Sequence, residues 1–137
     1  PAGSLGAQLK TVEDIMLKDN SIPFVNENLK IKDALKVLSK KKLGFLLVRD
    51  AKKLSRGIVS DGDIRRLTQK KQNLHNISIK EIMTKNPIGI DKNALAASAL
   101  SLMSQRKITS LCVYEKKNKL KTIGVIHIHN ILQSNIS

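Results

Sequence analysis

A chain of 137 residues suits one compact domain or two small ones sharing a core. Its formal charge of +14 comes from 20 Lys and 5 Arg against 11 acids, while aromatic residues are scarce (Phe24, Phe45, Tyr114 and no Trp). That balance disfavours single-strand nucleic-acid binding, which relies on aromatic stacking, and no apolar run approaches the roughly 20 residues that cross a bilayer.

Val12-Glu13-Asp14-Ile15-Met16 opens the patterned part of the chain. Ile31, Ala34, Leu35 and Leu38 then recur at i, i+3, i+4, i+7, which places them on one face of a helix. The apolar run Leu43 to Val48 is too short for an ordinary helix and suits a buried strand. Asp50-Ala51-Lys52-Lys53 reads as a turn, and Gly57-Ile58-Val59 as a second short strand. Asp61 or Asp63 is placed to cap a following helix that runs to about Lys70. Gln69 to Asn76 is polar and reads as a connector.

The same order then returns. Ile79-Lys80-Glu81-Ile82-Met83 leads, and Ala96, Ala99, Leu100 and Met103 form the helical stripe. Ile108 to Val113 is the buried strand, Glu115-Lys116-Lys117-Asn118 the turn, Ile123 to Ile126 the second strand, and Asn130 the capping residue. Met16 and Met83, like Gly57 and Gly124, lie 67 positions apart, whereas the helical stripes and middle strands are offset by 65. A repeat of this kind decides the fold. It implies two similar units packed face to face, with two related clefts, and suits a binding device better than a catalyst. Asp14, Glu81 and Asp33 read as ordinary helix-surface acids. The lysines are scattered through turns and helix backs, as at Lys40-Lys41-Lys42 and Lys116-Lys117. They read as a solvated surface that raises encounter rates with anions. The lone cysteine, Cys112, sits in an apolar strand and reads as a buried structural thiol. With no secretory pattern at the start, these features favour the cytoplasm.

The sharpest motif is Gly57-Ile58-Val59-Ser60-Asp61-Gly62-Asp63. A strand ending at Ser60 and a helix starting near Asp63 aim a hydroxyl and a carboxylate into one cleft. A carboxylate accepts hydrogen bonds from a ribose diol, a hydroxyl bonds a phosphate, and helix N-terminal N–H groups favour anions. The alternative is a capping box, in which Ser60 and Asp63 satisfy each other's backbone. Arg65-Arg66 follows, and arginine forks bind phosphate bidentately; the alternative is a solvent-facing helix turn. The second copy reads Gly124-Val125-Ile126-His127-Ile128-His129-Asn130, with His127 in place of the serine and Asn130 in place of the aspartate. Two histidines with no third ligand in view do not make a metal site, and no nucleophile–base pair can be assembled. Neither a catalytic residue nor a metal ligand is expected.

The element order and the pattern Gly-hydrophobic-x-Ser-x-x-Asp resemble the cystathionine-beta-synthase (CBS) domain, as a tandem pair spanning about Val12 to Leu132. The first unit carries the family's ligand motif through Gly57, Ser60 and Asp63; the second departs from it at His127. Val-Glu-Asp-Ile-Met, Lys-Asp-Ala-Leu, Ser-Asp-Gly-Asp-Ile-Arg-Arg, Lys-Ile-Thr-Ser-Leu and His-Ile-His-Asn-Ile-Leu together resemble the C-terminal half of bacterial arabinose-5-phosphate isomerases, which join a sugar-isomerase (SIS) domain to a CBS pair.

The resemblance implies an α/β (α+β) fold of two β-α-β-β-α repeats packed as a pseudo-twofold pair. It divides the chain into a linker over 1–11, CBS units over 12–72 and 79–137, and a connector over 73–78. It implies a non-enzymatic regulatory fragment that binds a nucleotide or nucleotide-sugar: AMP, ADP, ATP, or CMP-Kdo from the pathway to 3-deoxy-manno-octulosonate (Kdo) and lipopolysaccharide. No cofactor is required. Its expected partners are the catalytic SIS domain of the full-length protein and a second CBS pair in a homodimer, with a higher oligomer in the parent and neither membrane nor nucleic acid. The alternative is a purely structural dimerisation module. By the same analogy the clefts use Ile22, Pro23, Phe24, Ser60, Asp63 and Arg65 in the first unit, and Asn86, Pro87, Ile88, Thr109, Ser110, His127 and Asn130 in the second. Pro23 and Pro87 are equally well explained as strand-edge punctuation.

Overall fold

The computed structural model describes residues 9–70 and 76–134. The first eight residues, Lys71 to His75 of the expected connector, and the last three residues lie outside that set. The chain forms two compact units, one gathering residues 20–87, the other residues 88 onward together with the leading segment up to Asp19.

In the 20–87 unit, β1 (Phe24–Asn26) is followed by α2 (Ile31–Lys41), β2 (Phe45–Arg49), β3 (Ser55–Ser60) and α3 (Asp61–Thr68). The short β4 (Thr84–Lys85) completes a four-stranded sheet in the order β1-β2-β3-β4. β1 and β2 are parallel because α2 carries the chain back across the sheet, and β2–β3 is an antiparallel hairpin. The Asp50 side chain sets the hairpin turn by accepting from the Lys52 and Leu54 N–H groups. In the stripe expected on α2, Ile31, Ala34 and Leu38 are buried and Leu35 is partly so; all pack with Leu46, Val48, Val59 and Ile64.

The other unit repeats the order. β5 (Gly89–Asp91), α4 (Ala96–Arg106), β6 (Ser110–Tyr114), β7 (Gly124–His127) and α5 (Ile128–Gln133) build a three-stranded sheet, β5-β6-β7. Its core holds Ala96, Ala99, Met103, Leu111, Val113, Ile126 and Ile131. Both long helices end on a lysine in the left-handed conformation, Lys42 (φ 58°) and Lys107 (φ 56°), a helix C-terminus made without glycine.

The units are not cut where the sequence repeat is cut. α1 (Val12–Ile15) opens the first repeat, yet Val12 is buried in the core with Ala96 and Leu111. Leu17 exchanges backbone hydrogen bonds with Val125 of β7. Reciprocally, Ile79 opens the second repeat but is buried with Ile31 and Leu46. Ser78 pairs with Lys30, and β4 pairs with β3. Each leading segment thus completes the sheet and core assembled by the other repeat. The expected boundaries, 12–72 and 79–137, follow the sequence period; the packing exchanges the leading arms.

That exchange explains both glycine–methionine signatures. A Cβ on Gly57 would stand 2.7 Å from Met83 Sδ and 2.7 Å from the Thr84 carbonyl. A Cβ on Gly124 would collide with Met16 Sδ and come within 3.0 Å of the Leu17 carbonyl. The glycines are the flat spots over which the arms cross.

The acids expected to be surface groups have structural work as well. Thr11 caps α1 and closes a capping box with Asp14, and Ser78 does the same with Glu81. Its hydrogen bonds with Thr11 hold the Asp14 carboxyl below its usual range. Asp33 pairs with Lys36 across one helical turn.

Candidate functional site

The expected site residues of the first copy gather at one end of the β1-β2-β3 sheet. Phe24 is in register with Leu47, and Phe45 with Ser60, so Ile22 and Pro23, the N-terminal end of β2 and the C-terminal end of β3 all lie at that end. Backbone bonds tie them: Leu47 N–H donates to the Pro23 carbonyl (3.0 Å), and Asp61 N–H to the Gly44 carbonyl (2.9 Å). Gly44 holds φ +79°, where a side chain would be strained. Ile22 and Pro23 are buried, Ser60 and Asp63 half-buried.

Ser60 itself is the N-cap of α3, rather than Asp61 or Asp63. Its Oγ accepts from Asp63 N–H (3.1 Å), and Asp63 Oδ2 accepts from Ser60 N–H (2.9 Å). Ser60 is extended (φ −100°, ψ 162°), and at such a residue Oγ reaches the first turn while its own N–H faces back toward the third helical residue. Asp63 Oδ1 pairs with Arg66; Arg65, the arginine expected in the cleft, is exposed. The capping box does not exhaust these groups. A serine that accepts one bond retains its O–H donor, and a carboxylate has about four acceptor positions. Capping fixes the pair rigidly at a helix N-terminus, where anions are favoured.

The second copy builds the equivalent sheet end with different chemistry. Ile88 carbonyl accepts from Cys112 N–H (3.1 Å), Ile128 N–H donates to the Thr109 carbonyl (2.8 Å), and Ser110 pairs with His127. Pro87 immediately precedes Ile88 in the chain. Asn130 Oδ1 accepts from His127 N–H (2.9 Å), as Asp63 does for Ser60. His127 Nδ1 accepts from His129 N–H (3.1 Å), so the imidazole replaces the serine hydroxyl as the cap. The two rings stack with centroids 4.8 Å apart. Burial, then the neighbouring His129, pushes the His127 pKa below its ordinary 6.5. Thr109 is exposed and Ser110 half-buried. Among the described residues no cluster of His, Cys, Asp and Glu is arranged to hold a metal ion, and no helix is long and apolar enough to cross a membrane.

The CBS-domain model matches residues 12–70 and again residues 79–136. The chain belongs to the CBS-domain family. As a CBS pair it is 36% identical to the arabinose 5-phosphate isomerase KdsD of Yersinia pestis over 99% of its length, and 35% identical to that of Escherichia coli. It spans 41% of each relative, and the rest of those isomerases has no counterpart in these 137 residues. Among solved structures, the CBS pair protein CBSX2 of Arabidopsis thaliana, crystallised in complex with AMP, superposes with a TM-score of 0.81 at 26% identity, over 92% of this chain and 96% of that one. The CBS domain pair of protein MJ0100, solved with 5'-methylthioadenosine and S-adenosyl-L-methionine, shares the fold at a TM-score of 0.79 and 23% identity, over 91% and 94% of the two chains.

Proposed function

We propose that this CBS pair is a regulatory module that binds a nucleotide at the sheet end formed by Ile22, Pro23, Ser60 and Asp63. The observation that carries the proposal is the capped Ser60–Asp63 pair: a half-buried carboxylate and a hydroxyl held rigidly at a helix N-terminus beside two buried apolar residues. The carboxylate suits a ribose diol, the hydroxyl and helix N–H groups suit a phosphate, and the buried Ile22 and Pro23 make the ground beside them apolar. The AMP complex of CBSX2 supports an adenine nucleotide as the first candidate. In the second copy His127 and Asn130 replace the serine and aspartate, with Ile88, Thr109 and Ser110 beside them, so that end is a weaker or different nucleotide site. The wider reading is that the module reports nucleotide occupancy to the sugar-isomerase domain of a cytoplasmic arabinose 5-phosphate isomerase. It would pair with a second copy, and CMP-Kdo would be the feedback signal if the ligand is a nucleotide-sugar.

The same capping boxes also favour a second reading, because they serve the fold with no ligand present. In that case the pair is an assembly module. Thermal melting against AMP, ADP, ATP, CMP, CMP-Kdo and arabinose 5-phosphate separates the two. A ligand that binds only the folded state adds about 2.7 kcal/mol at a concentration of 100 Kd. A shift with one nucleotide, lost in Asp63→Ala, is expected; flat curves across the panel in a folded protein would favour the assembly role.

A further inference from the structure

The 20–87 unit has a second concavity at the opposite end of its sheet. Asn26 and Arg49 are in register at the C-terminal ends of the parallel strands β1 and β2, whereas Phe45 and Ser60 mark the other end. A cavity of about 220 Å³ opens there, lined among others by Phe24, Asn26, Arg49, Asp50 and Lys53. This lies below the roughly 300–1,000 Å³ that takes drug-sized ligands, so a small guest is required.

The chemistry of its walls selects that guest. The Arg49 guanidinium lies over the Phe24 ring, 4.0 Å from the centroid. Stacking orients the guanidinium fork and leaves its in-plane N–H donors able to bind. Arg49 is half-buried, and among the described residues neither it nor Lys53 forms an ion pair; the nearby Glu27 is engaged by Arg56. Lys53 is carried by a turn in which Asp50 Oδ1 accepts from Lys52 and Leu54 N–H and the Asp50 carbonyl accepts from Lys53 N–H. Two cations without a carboxylate partner favour an anion. The wall also holds the Asp50 carboxylate and the Asn26 amide, which suit hydroxyl groups and oppose a bare polyanion.

The rest of the chain supplies an internal control. The corresponding sheet end of the other unit has Gly89 for Phe24, Asp91 for Asn26, Tyr114 for Arg49, Glu115 for Asp50 and Asn118 for Lys53. Neither of the two cationic positions carries a cation there: Lys92 is paired with Glu13 and Glu115, and the cation near the ring is a lysine from further along the turn, Lys119, 5.9 Å from the Tyr114 centroid. The stacked guanidinium, Arg49 on Phe24, belongs to the 20–87 unit, where the counterpart positions of the other unit hold Tyr114 and Gly89.

We infer that the cavity between Phe24, Arg49 and Lys53 is a binding site for a small phosphorylated polyol, with the phosphate on Arg49 and Lys53 and the hydroxyls on Asp50 and Asn26. The site is separate from the nucleotide site proposed above. Isothermal titration calorimetry of the 137-residue chain with ribose 5-phosphate, inorganic phosphate and ribose tests it. Saturable binding of ribose 5-phosphate is expected, weakened at least tenfold in Arg49→Gln and in Lys53→Gln. Binding by phosphate should be weaker, and ribose should not bind. Lys53 is exposed, so its variant does not put folding at risk. Asp63→Ala should leave this binding intact while removing any AMP response, which separates the two sites. No saturable heat with ribose 5-phosphate, equal binding by phosphate alone, unchanged affinity in Lys53→Gln, or loss in Asp63→Ala would each overturn the assignment.

Discussion

Replacing Gly57 by alanine tests the crossing of the exchanged arm over β3. The added methyl would stand 2.7 Å from Met83 Sδ, 2.8 Å from Met83 Cγ and 2.7 Å from the Thr84 carbonyl oxygen. Methionine can swing aside, since its chain is flexible. The carbonyl cannot, because Gly57 and Ile58 are in register with Lys85 and Thr84 in the β3–β4 pair. Relief therefore requires β4 to move off the sheet edge, and overpacking of this kind costs about 1–3 kcal/mol. For a chain of this size that lowers the melting midpoint by about 3–5 °C per kcal/mol. Gly62, five residues on in the same motif, is the matched control. Its Cβ would meet nothing nearer than the flexible Arg66 Nη1 at 3.4 Å, with Ser60 Oγ at 3.7 Å and Arg66 Cζ at 4.0 Å, in the first turn of α3. Alanine is the better helix former by about 0.5–1 kcal/mol, so Gly62→Ala should hold or raise stability. Urea unfolding of both variants beside the parent measures the contrast. A Gly57→Ala protein as stable as the parent would refute the packing argument.

The other expectations concern the core and the second capping box. Ile79, fully buried although it opens the second repeat, should cost about 2–5 kcal/mol as alanine in denaturant unfolding; a surface-like loss would deny the exchange of arms. His127 Nδ1 must be unprotonated to accept from His129 N–H, and the folded state favours the neutral ring. Its contribution is therefore present above the unfolded value of 6.5 and lost as pH falls below it, and His127→Ser should flatten that part of the stability–pH curve. Burial pushes the Cys112 thiol up to about 11, against a weaker opposing hydrogen bond with Thr122, so thiol-reactive dye at pH 8 should label it only after unfolding.

Much of this architecture is legible in the residues because the repeat doubles every signal. The helical stripes at Ile31 and Ala96, the strands around Leu46 and Leu111, and the buried thiol all follow from periodicity and composition. The exchange of arms does not, since Val12 and Ile79 look alike in sequence and nothing local says which sheet each will join. The capping boxes at Thr11–Asp14 and Ser78–Glu81 were open to a reading of their three-residue spacing, but acids near a helix start also look like surface charge. In the Ser60 motif the nearness of hydroxyl, carboxylate and helix N-terminus is legible, but the cap is Ser60 and not Asp61 or Asp63. Helical spacing decides which arginine meets Asp63: Arg66, three residues on, shares its face and pairs with it, whereas Arg65, two residues on, does not. The cavity beside Arg49 was invisible, because it needs the parallel register of β1 and β2 to bring Phe24, Asn26 and Lys53 around one guanidinium.

Nucleotide binding at the Ser60–Asp63 sheet end is tested by titrating ¹⁵N-labelled chain with AMP and following the amide resonances. A ligand at the Ser60–Asp63 sheet end should shift Gly44, Phe45 and residues 60–63 in a saturable way, and Asp63→Ala should abolish those shifts. Saturating AMP that leaves these amides unmoved, or moves them equally in Asp63→Ala, would rule out a nucleotide site held by Asp63.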